Sequence, residues 1–405
     1  MVDLFGDPVL EDPEDDLEDD ETDEDTGALF GGDLPDMTVQ ESSDLTEDGE
    51  SFSARLSPKL VGHDDFVTSF ETRLANGTLP HAFLLTGPRG IGKATLAYTI
   101  ARALLGKTNL TSANAEDSPA IFRQVARLAH PDFFVIEPAM DEKKGVRKAH
   151  VDIEQIRKIG PFMRLKASTD AGWRVVIVDE AQTMTNQAQN SILKILEEPP
   201  SRAILILVSE TTGQLLPTIR SRVAHFPLTP LSEAELREVI SRTSPDALRD
   251  PQFDLAANMG HGAPGQVLRL LEEGGLSLLE DIFQLFEDDP YAQPDLMQAF
   301  ISRVTEKGKG EEDPFTQFSW AILWILRMTL KYQAANLPQP ALFTRYTALP
   351  ERLQRMGGHR LLELYERIKE LSEATTRQSL DKRTTALQIF FLLQGGPSSV
   401  TTHFL

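Results

Sequence analysis

His81-Ala82-Phe83-Leu84-Leu85-Thr86-Gly87-Pro88-Arg89-Gly90-Ile91-Gly92-Lys93-Ala94-Thr95 decides how this chain folds. The first six residues are a short, mostly apolar run, the pattern of a strand buried on both faces. Lys93 to Leu105 carries apolar residues at helical spacing. Between the two, glycines let backbone N–H groups curl around phosphate oxygens, and the helix N-terminus adds a favourable dipole. Strand, Gly-rich turn, lysine and helix in that order predict a phosphate-binding P-loop at Gly87, Gly90, Gly92 and Lys93, with the lysine reaching the outer phosphates.

One position departs from the pattern. The residue after the lysine should carry a hydroxyl for Mg²⁺, and it is Ala94. Thr95 comes one residue late, and a helical step of about 100° aims its hydroxyl elsewhere. The pattern therefore permits ATP binding, with or without Mg²⁺, and argues against efficient hydrolysis.

Outward from the P-loop, short apolar runs alternate with helix-spaced segments. Phe133 to Glu137, Arg174 to Asp179, Ala203 to Ser209 and Val223 to Phe226 join His81 to Thr86 as strands expected to be buried on both faces. Helices are expected at 151–165, 186–198 and 214–221 as well as at 93–105. That alternation predicts an α/β domain with a parallel sheet flanked by helices. The strand Val175-Val176-Ile177-Val178 ends in Asp179-Glu180, the Walker B arrangement in which Asp179 supports Mg²⁺ and Glu180 orients water.

After Pro230 the strand signals stop. Ser232, with Glu235 three residues on, makes a capping box for a first helix at 232–242. Further helices at 252–259 and 265–273 suit a small three-helix unit. Beyond the Gly274-Gly275 break come helical patterns at 279–287, 294–305, 313–335, 360–375 and 381–393, read as a separate all-α domain.

The N-terminal end is of another kind. The first fifty residues hold 21 Asp and Glu and no Lys or Arg, too little apolar content to offset the entropy of ordering, so 1–54 is expected to be disordered. The rest carries 41 acidic against 40 basic side chains, so the net charge of -22 belongs almost wholly to that segment. There are no cysteines, which excludes disulfides and Cys-ligated metal, zinc included. Trp320 to Leu330, the best apolar stretch, is too short for a membrane span and contains Arg327, and no signal peptide is visible. A cytoplasmic protein is expected.

The P-loop, Asp179-Glu180, Leu193-Lys194-Ile195-Leu196-Glu197-Glu198-Pro199-Pro200 and Leu216-Pro217-Thr218-Ile219-Arg220-Ser221-Arg222 resemble, in this order, the AAA+ clamp-loader family of the bacterial DNA polymerase III holoenzyme, related to its gamma/tau chains. His130-Pro131-Asp132 before a strand is a further similarity. The resemblance implies an AAA+ domain over 55–230, a lid over 231–275 and an oligomerising collar over 276–405. It implies a hetero-pentamer with delta and gamma/tau subunits that loads the sliding clamp onto primed DNA during replication. Arg222 then matches the arginine finger that the family offers to a neighbour's ATP, with Val223 where the family has cysteine. Ser209 matches the first sensor, and Gln266 stands where a motor subunit has the lid arginine.

Ala94, Gln266 and the missing cysteines all depart from the motor pattern, which makes the non-hydrolysing, delta-prime-type class the better match. The alternative is an active AAA+ motor subunit in which Thr95 supplies the hydroxyl. A third reading gives the acidic segment itself the function, as a mimic of nucleic-acid charge. No basic stripe with interleaved aromatics marks a direct DNA interface.

Overall fold

The computed structural model describes residues 53–141, 146–148, 150–272, 275–291, 293–306, 313–335, 341–378 and 380–394. The acidic segment expected at 1–54 lies outside these residues except for its last two. In chain order the first elements are α1 (Asp64–Ala75), β1 (Ala82–Thr86), α2 (Lys93–Gly106), α3 (Pro119–Ala126), β2 (Phe133–Ile136), β3 (Met140–Asp141) and β4 (Val146–Arg147). They continue with α4 (Ile153–Arg157), α5 (Ile159–Arg164), β5 (Arg174–Val178), α6 (Asn186–Glu197), β6 (Ala203–Ser209), α7 (Pro217–Arg220) and β7 (Ala224–Pro227).

Five strands form one sheet in the order β2-β5-β6-β1-β7, every pair parallel. Strand alternation divides the core in two. Phe83, Leu85, Val175, Ile177, Ile204 and Ile206 face the cluster that contains α2's Leu96, Ile100 and Leu104. Leu84, Val176, Val178, Leu205 and Leu207 face the cluster with Ile156, Phe162, Ile192 and Leu196 from α4, α5 and α6. The three central strands are buried at every residue.

The last expected strand is corrected. β7 is not buried on both faces: it alternates half-buried with exposed residues because it pairs only with β1 and closes one edge of the sheet. β2, at the other edge, is half-buried at its two central residues. The helix expected at 151–165 is also corrected. Pro161 has no N–H for the Arg157 carbonyl and its ring crowds that oxygen, so the chain makes two short helices, α4 and α5, that meet at Lys158. Val151 instead forms a β-bridge to Met184. The helix expected at 214–221 shrinks to α7, which starts at Pro217.

From Ser232 onward the described chain is helical: α8 (Glu233–Thr243), α9 (Phe253–Gly260), α10 (Pro264–Glu272), α11 (Gly275–Glu287), α12 (Pro294–Thr305) and α13 (Pro314–Ala335). It ends with α14 (Ala341–Arg345), α15 (Ala348–Arg355), α16 (Gly358–Gln378) and α17 (Lys382–Leu393). Ser232 and Glu235 exchange both bonds of the capping box at the start of α8. Helix α11 begins at Gly275, four residues before its expected start. Apolar side chains from α8 through α17 make one continuous core, with Leu236, Val267, Phe283, Trp324, Leu364 and Phe390 among its buried members.

Candidate functional site

The parallel sheet has two ends, and the sequence motifs divide between them. Strand β1 delivers the chain into the P-loop, with Gly87, Gly90 and Gly92 all at positive φ. Gly90 has a further constraint: its carbonyl accepts the Gly265 N–H at 3.0 Å, and a Cβ there would lie 2.5 Å from the Gln266 nitrogen. The start of α10 thus rests directly on the loop. Lys93 is buried, and its Nζ donates to the carbonyls of Gly87 at 2.8 Å and Pro88 at 2.9 Å. Burial holds its pKa below the usual lysine value, against the pull of Glu210 and Asp179.

Asp179 and Glu180 follow β5 at the same end. Asp179 Oδ1 accepts the Glu180 N–H at 2.7 Å, and burial, together with the neighbouring Glu180 and Glu137 charges, pushes the Asp179 carboxyl up to about 6. Glu180 itself has left-handed backbone, φ 47°. Ser209 lies beside Thr86 in the β1–β6 register. It is buried, and its hydroxyl donates to the Thr211 carbonyl at 2.7 Å, a bond that ends the strand. Thr95 is buried and its carbonyl accepts the Thr99 hydroxyl. Ala94 packs against the apolar cluster under α2. The glycine-rich backbone at Gly87, Gly90 and Gly92 fits a polyphosphate, and Ala94, next to Lys93, offers a cation no side-chain oxygen.

Arg222 stands at the other end. β7 runs parallel to β1 and begins with Ala224 opposite Phe83, so Arg222 lies at the start of the strands, the length of β1 from its own P-loop, or about 15 Å. Its Nη2 pairs with Glu197 Oε1 at 3.0 Å, and its Nη1 donates to the Thr218 carbonyl at 3.0 Å and the Ser221 hydroxyl at 3.3 Å. The Arg222 side chain remains 37% exposed. Helix α6 returns antiparallel to the strands and is stopped by Pro199-Pro200, which brings Glu197 to this end.

Asp132, of the His130-Pro131-Asp132 motif, lies just ahead of β2. It is fully buried and accepts from Ser168 N, Thr169 N and Thr169 Oγ1 at 2.8 to 3.0 Å, with Arg174 at 3.3 Å. Burial alone would raise its pKa, but these hydrogen bonds and the Arg174 charge hold it below the usual value. Arg174 also stacks on Phe162 and donates to the Lys166 carbonyl. The motif is a structural node that ties the 166–169 loop to the sheet.

Comparison with known proteins bears on these motifs together. A family model described as DNA polymerase III, delta subunit, matches residues 62–232, the span from just before the P-loop to just past Arg222. A DNA polymerase III subunit delta' from Pseudomonas aeruginosa is 32% identical over 260 residues, which covers 63% of this chain and 73% of the relative. The chain belongs to the DNA polymerase III delta-prime family.

Two more distant relatives of this delta-prime-family chain widen the frame. A DNA polymerase III subunit gamma/tau from Mycobacterium bovis is 28% identical over 218 residues, 53% of this chain and 36% of the relative. Replication factor C subunit 3 from Blastobotrys adeninivorans is 25% identical over 239 residues, 58% of this chain and 62% of the relative. The fold is a five-stranded parallel sheet flanked by helices, followed by a helical region.

Four residues of the delta-prime-family chain to which the sequence assigned no role, Glu197 of the Glu-Glu-Pro-Pro motif among them, complete the picture. His63 approaches Gly92 and bonds the Ile91 backbone; burial keeps its imidazole below the usual value, opposed by Glu235 at the start of α8. Glu210, one residue past Ser209, pulls the Lys93 pKa upward against the larger effect of burial. Glu197 holds Arg222. Gln189 on α6 donates to the carbonyls of Met184 and Gln214 and accepts the Leu216 N–H at 2.8 Å. Glu197 lay inside the quoted Glu-Glu-Pro-Pro motif and Gln189 on the helix expected at 186–198, but their partners, like those of His63 and Glu210, are distant in sequence and gave no signal.

Proposed function

We propose that this chain is the delta-prime subunit of a DNA polymerase III clamp loader. In that role it assists ATP-dependent loading of the sliding clamp onto primed DNA. It offers Arg222 to the ATP of a neighbouring gamma/tau-type subunit and turns over little or no ATP itself. The observation that carries the reading is the division of the sheet: Arg222 lies at the end of the strands away from its own P-loop, partly exposed, where only another chain's phosphates can meet it. A guanidinium there stabilises the charge that develops on a transferring phosphoryl group. At the P-loop end, Ala94, Gln266 and the turned-in Ser209 argue for nucleotide binding without efficient hydrolysis.

In this reading residues 55–230 are the nucleotide-binding-like domain, 231–275 the lid and 276–405 the collar that joins delta and gamma/tau subunits in a hetero-pentamer, in the cytoplasm. Leu387 and Phe391, one turn apart on α17 and 40% and 56% exposed, are an apolar face suited to a neighbouring collar. No helix among the described residues is long and apolar enough to cross a membrane.

The test is ATP turnover by the purified chain alone and mixed with motor subunits and clamp, comparing wild type with Arg222→Ala. A silent isolated chain and a mixture slowed by Arg222→Ala support the donor role. Turnover by the chain alone that Lys93→Ala abolishes makes it a motor subunit instead.

A further inference from the structure

Glu197 ends α6 with its carboxylate at the negative end of the helix dipole, an unfavourable place for an anion. The next residue, Glu198, precedes Pro199 and has left the helix, φ -123° and ψ 68°. What compensates Glu197 is Arg222, at 3.0 Å. The Thr218 carbonyl and the Ser221 hydroxyl hold the opposite Nη of the same guanidinium. Two hydrogen bonds from Nη1 and an ion pair at Nη2, to groups on two elements, therefore flank one guanidinium, while Nε–H has no partner among the described residues. An arginine left to its own rotamers would sample many orientations and lose entropy on meeting a phosphate.

We propose that Glu197 is a positioning residue for Arg222: its carboxylate helps preset the guanidinium plane, so that the N–H groups not held by Thr218 and Ser221 are presented to a phosphate on the adjoining subunit. This rests on the donor role proposed above for Arg222. Glu197 does not touch the nucleotide. It lowers the cost of ordering Arg222 when the neighbour's phosphoryl group transfers, an effect on kcat rather than on ATP affinity. The two residues come from different motifs, the Glu-Glu-Pro-Pro helix end and the Ser-Arg turn, and the ion pair gives a physical reason for both to be present in one chain.

The experiment is a double-mutant cycle in the full mixed complex with motor subunits, clamp and primed DNA. Wild type, Glu197→Gln, Arg222→Ala and the double variant are compared for kcat and KM for ATP, with assembly followed by gel filtration. Glu197→Gln keeps the shape and removes the charge. The expected result is a loss of about threefold to tenfold in kcat with KM unchanged, assembly intact, and no further loss when Glu197→Gln is added to Arg222→Ala. The loss shrinks as salt is raised, since the wild-type pair is partly exposed and screened. If Arg222→Ala slows turnover and Glu197→Gln does not, the positioning role is overturned while the donor role stands. If Glu197→Gln slows turnover equally in the Arg222→Ala background, Glu197 acts elsewhere and the proposal is likewise overturned. If Arg222→Ala has no effect, the donor role itself fails.

Discussion

The two ends of the parallel sheet differ in where their polar groups point. At the P-loop end they turn inward: Lys93 to the loop's own carbonyls, Ser209 to Thr211, Asp179 to the Glu180 backbone, and the loop to the start of α10. At the other end a buried ionic node, Asp132 with Arg174, holds the framework, and Arg222 pairs with Glu197 at the surface. The contrast teaches that two ends of one sheet can differ in exposure: the polar groups at the P-loop end close on their own loops, while Arg222 keeps part of its guanidinium at the surface.

The contrast can be broken hardest at Asp132. Asp132→Ala leaves Arg174 buried without its carboxylate and strips two backbone N–H groups of their acceptor, so a loss of about 3 to 5 kcal/mol is expected, read by urea unfolding. Next comes the P-loop end. Gly90→Ala combines a left-handed backbone, φ +76°, with a Cβ 2.5 Å from the Gln266 nitrogen. It should cost about 2 to 4 kcal/mol and speed hydrogen exchange at the Gly265 amide, as α10 lifts from the loop. An unchanged Gly265 amide would mean that the contact does not hold the start of α10 on the loop.

Asp179 allows a test with the opposite sign. Its folded pKa of about 6 is raised, so between pH 4 and 6 the folded chain holds a proton that the unfolded chain has released, and stability falls as pH rises through that window. Asp179→Asn should therefore stabilise the chain by about 1 to 2 kcal/mol at pH 8, with the gain vanishing near pH 4, in thermal melts across that range. The smallest expected change in stability is at Glu197: Glu197→Gln should shift it by no more than about 0.5 kcal/mol, because the pair is exposed. A variant nearly silent in melting yet slow in the assembled complex separates positioning from structure.

Much of this was legible beforehand. Five apolar runs and the Gly-rich turn announced the sheet and the P-loop, because a strand buried on both faces leaves an unbroken apolar signature. The capping box at Ser232 and Glu235 was readable for the same reason: its bonds are local. What escaped depended on contacts across the chain. Exposure of β7 follows from edge position, which no local pattern states. Pro161 was in plain view, yet the apolar periodicity of 151–165 outweighed it in the reading, and the missing N–H prevailed in the fold. The short helices α14 and α15 have too few turns for a periodic signal, and the Glu197–Arg222 pair joins residues 25 positions apart.

Gln189 has a consequence of a mechanical kind. Its side-chain amide spans from the Met184 carbonyl, just past the Asp179-Glu180 turn, to the Gln214 carbonyl and the Leu216 N–H that lead into α7. Both its ends are engaged, so it behaves as a tie rod between α6 and the segment that carries Arg222. A pull on Arg222 from outside is therefore shared by α6 through two linkages, Glu197 at its last turn and Gln189 at its first. The segment that leads to Arg222 is thus moored to one helix at both ends, by an amide near the first turn and an ion pair at the last.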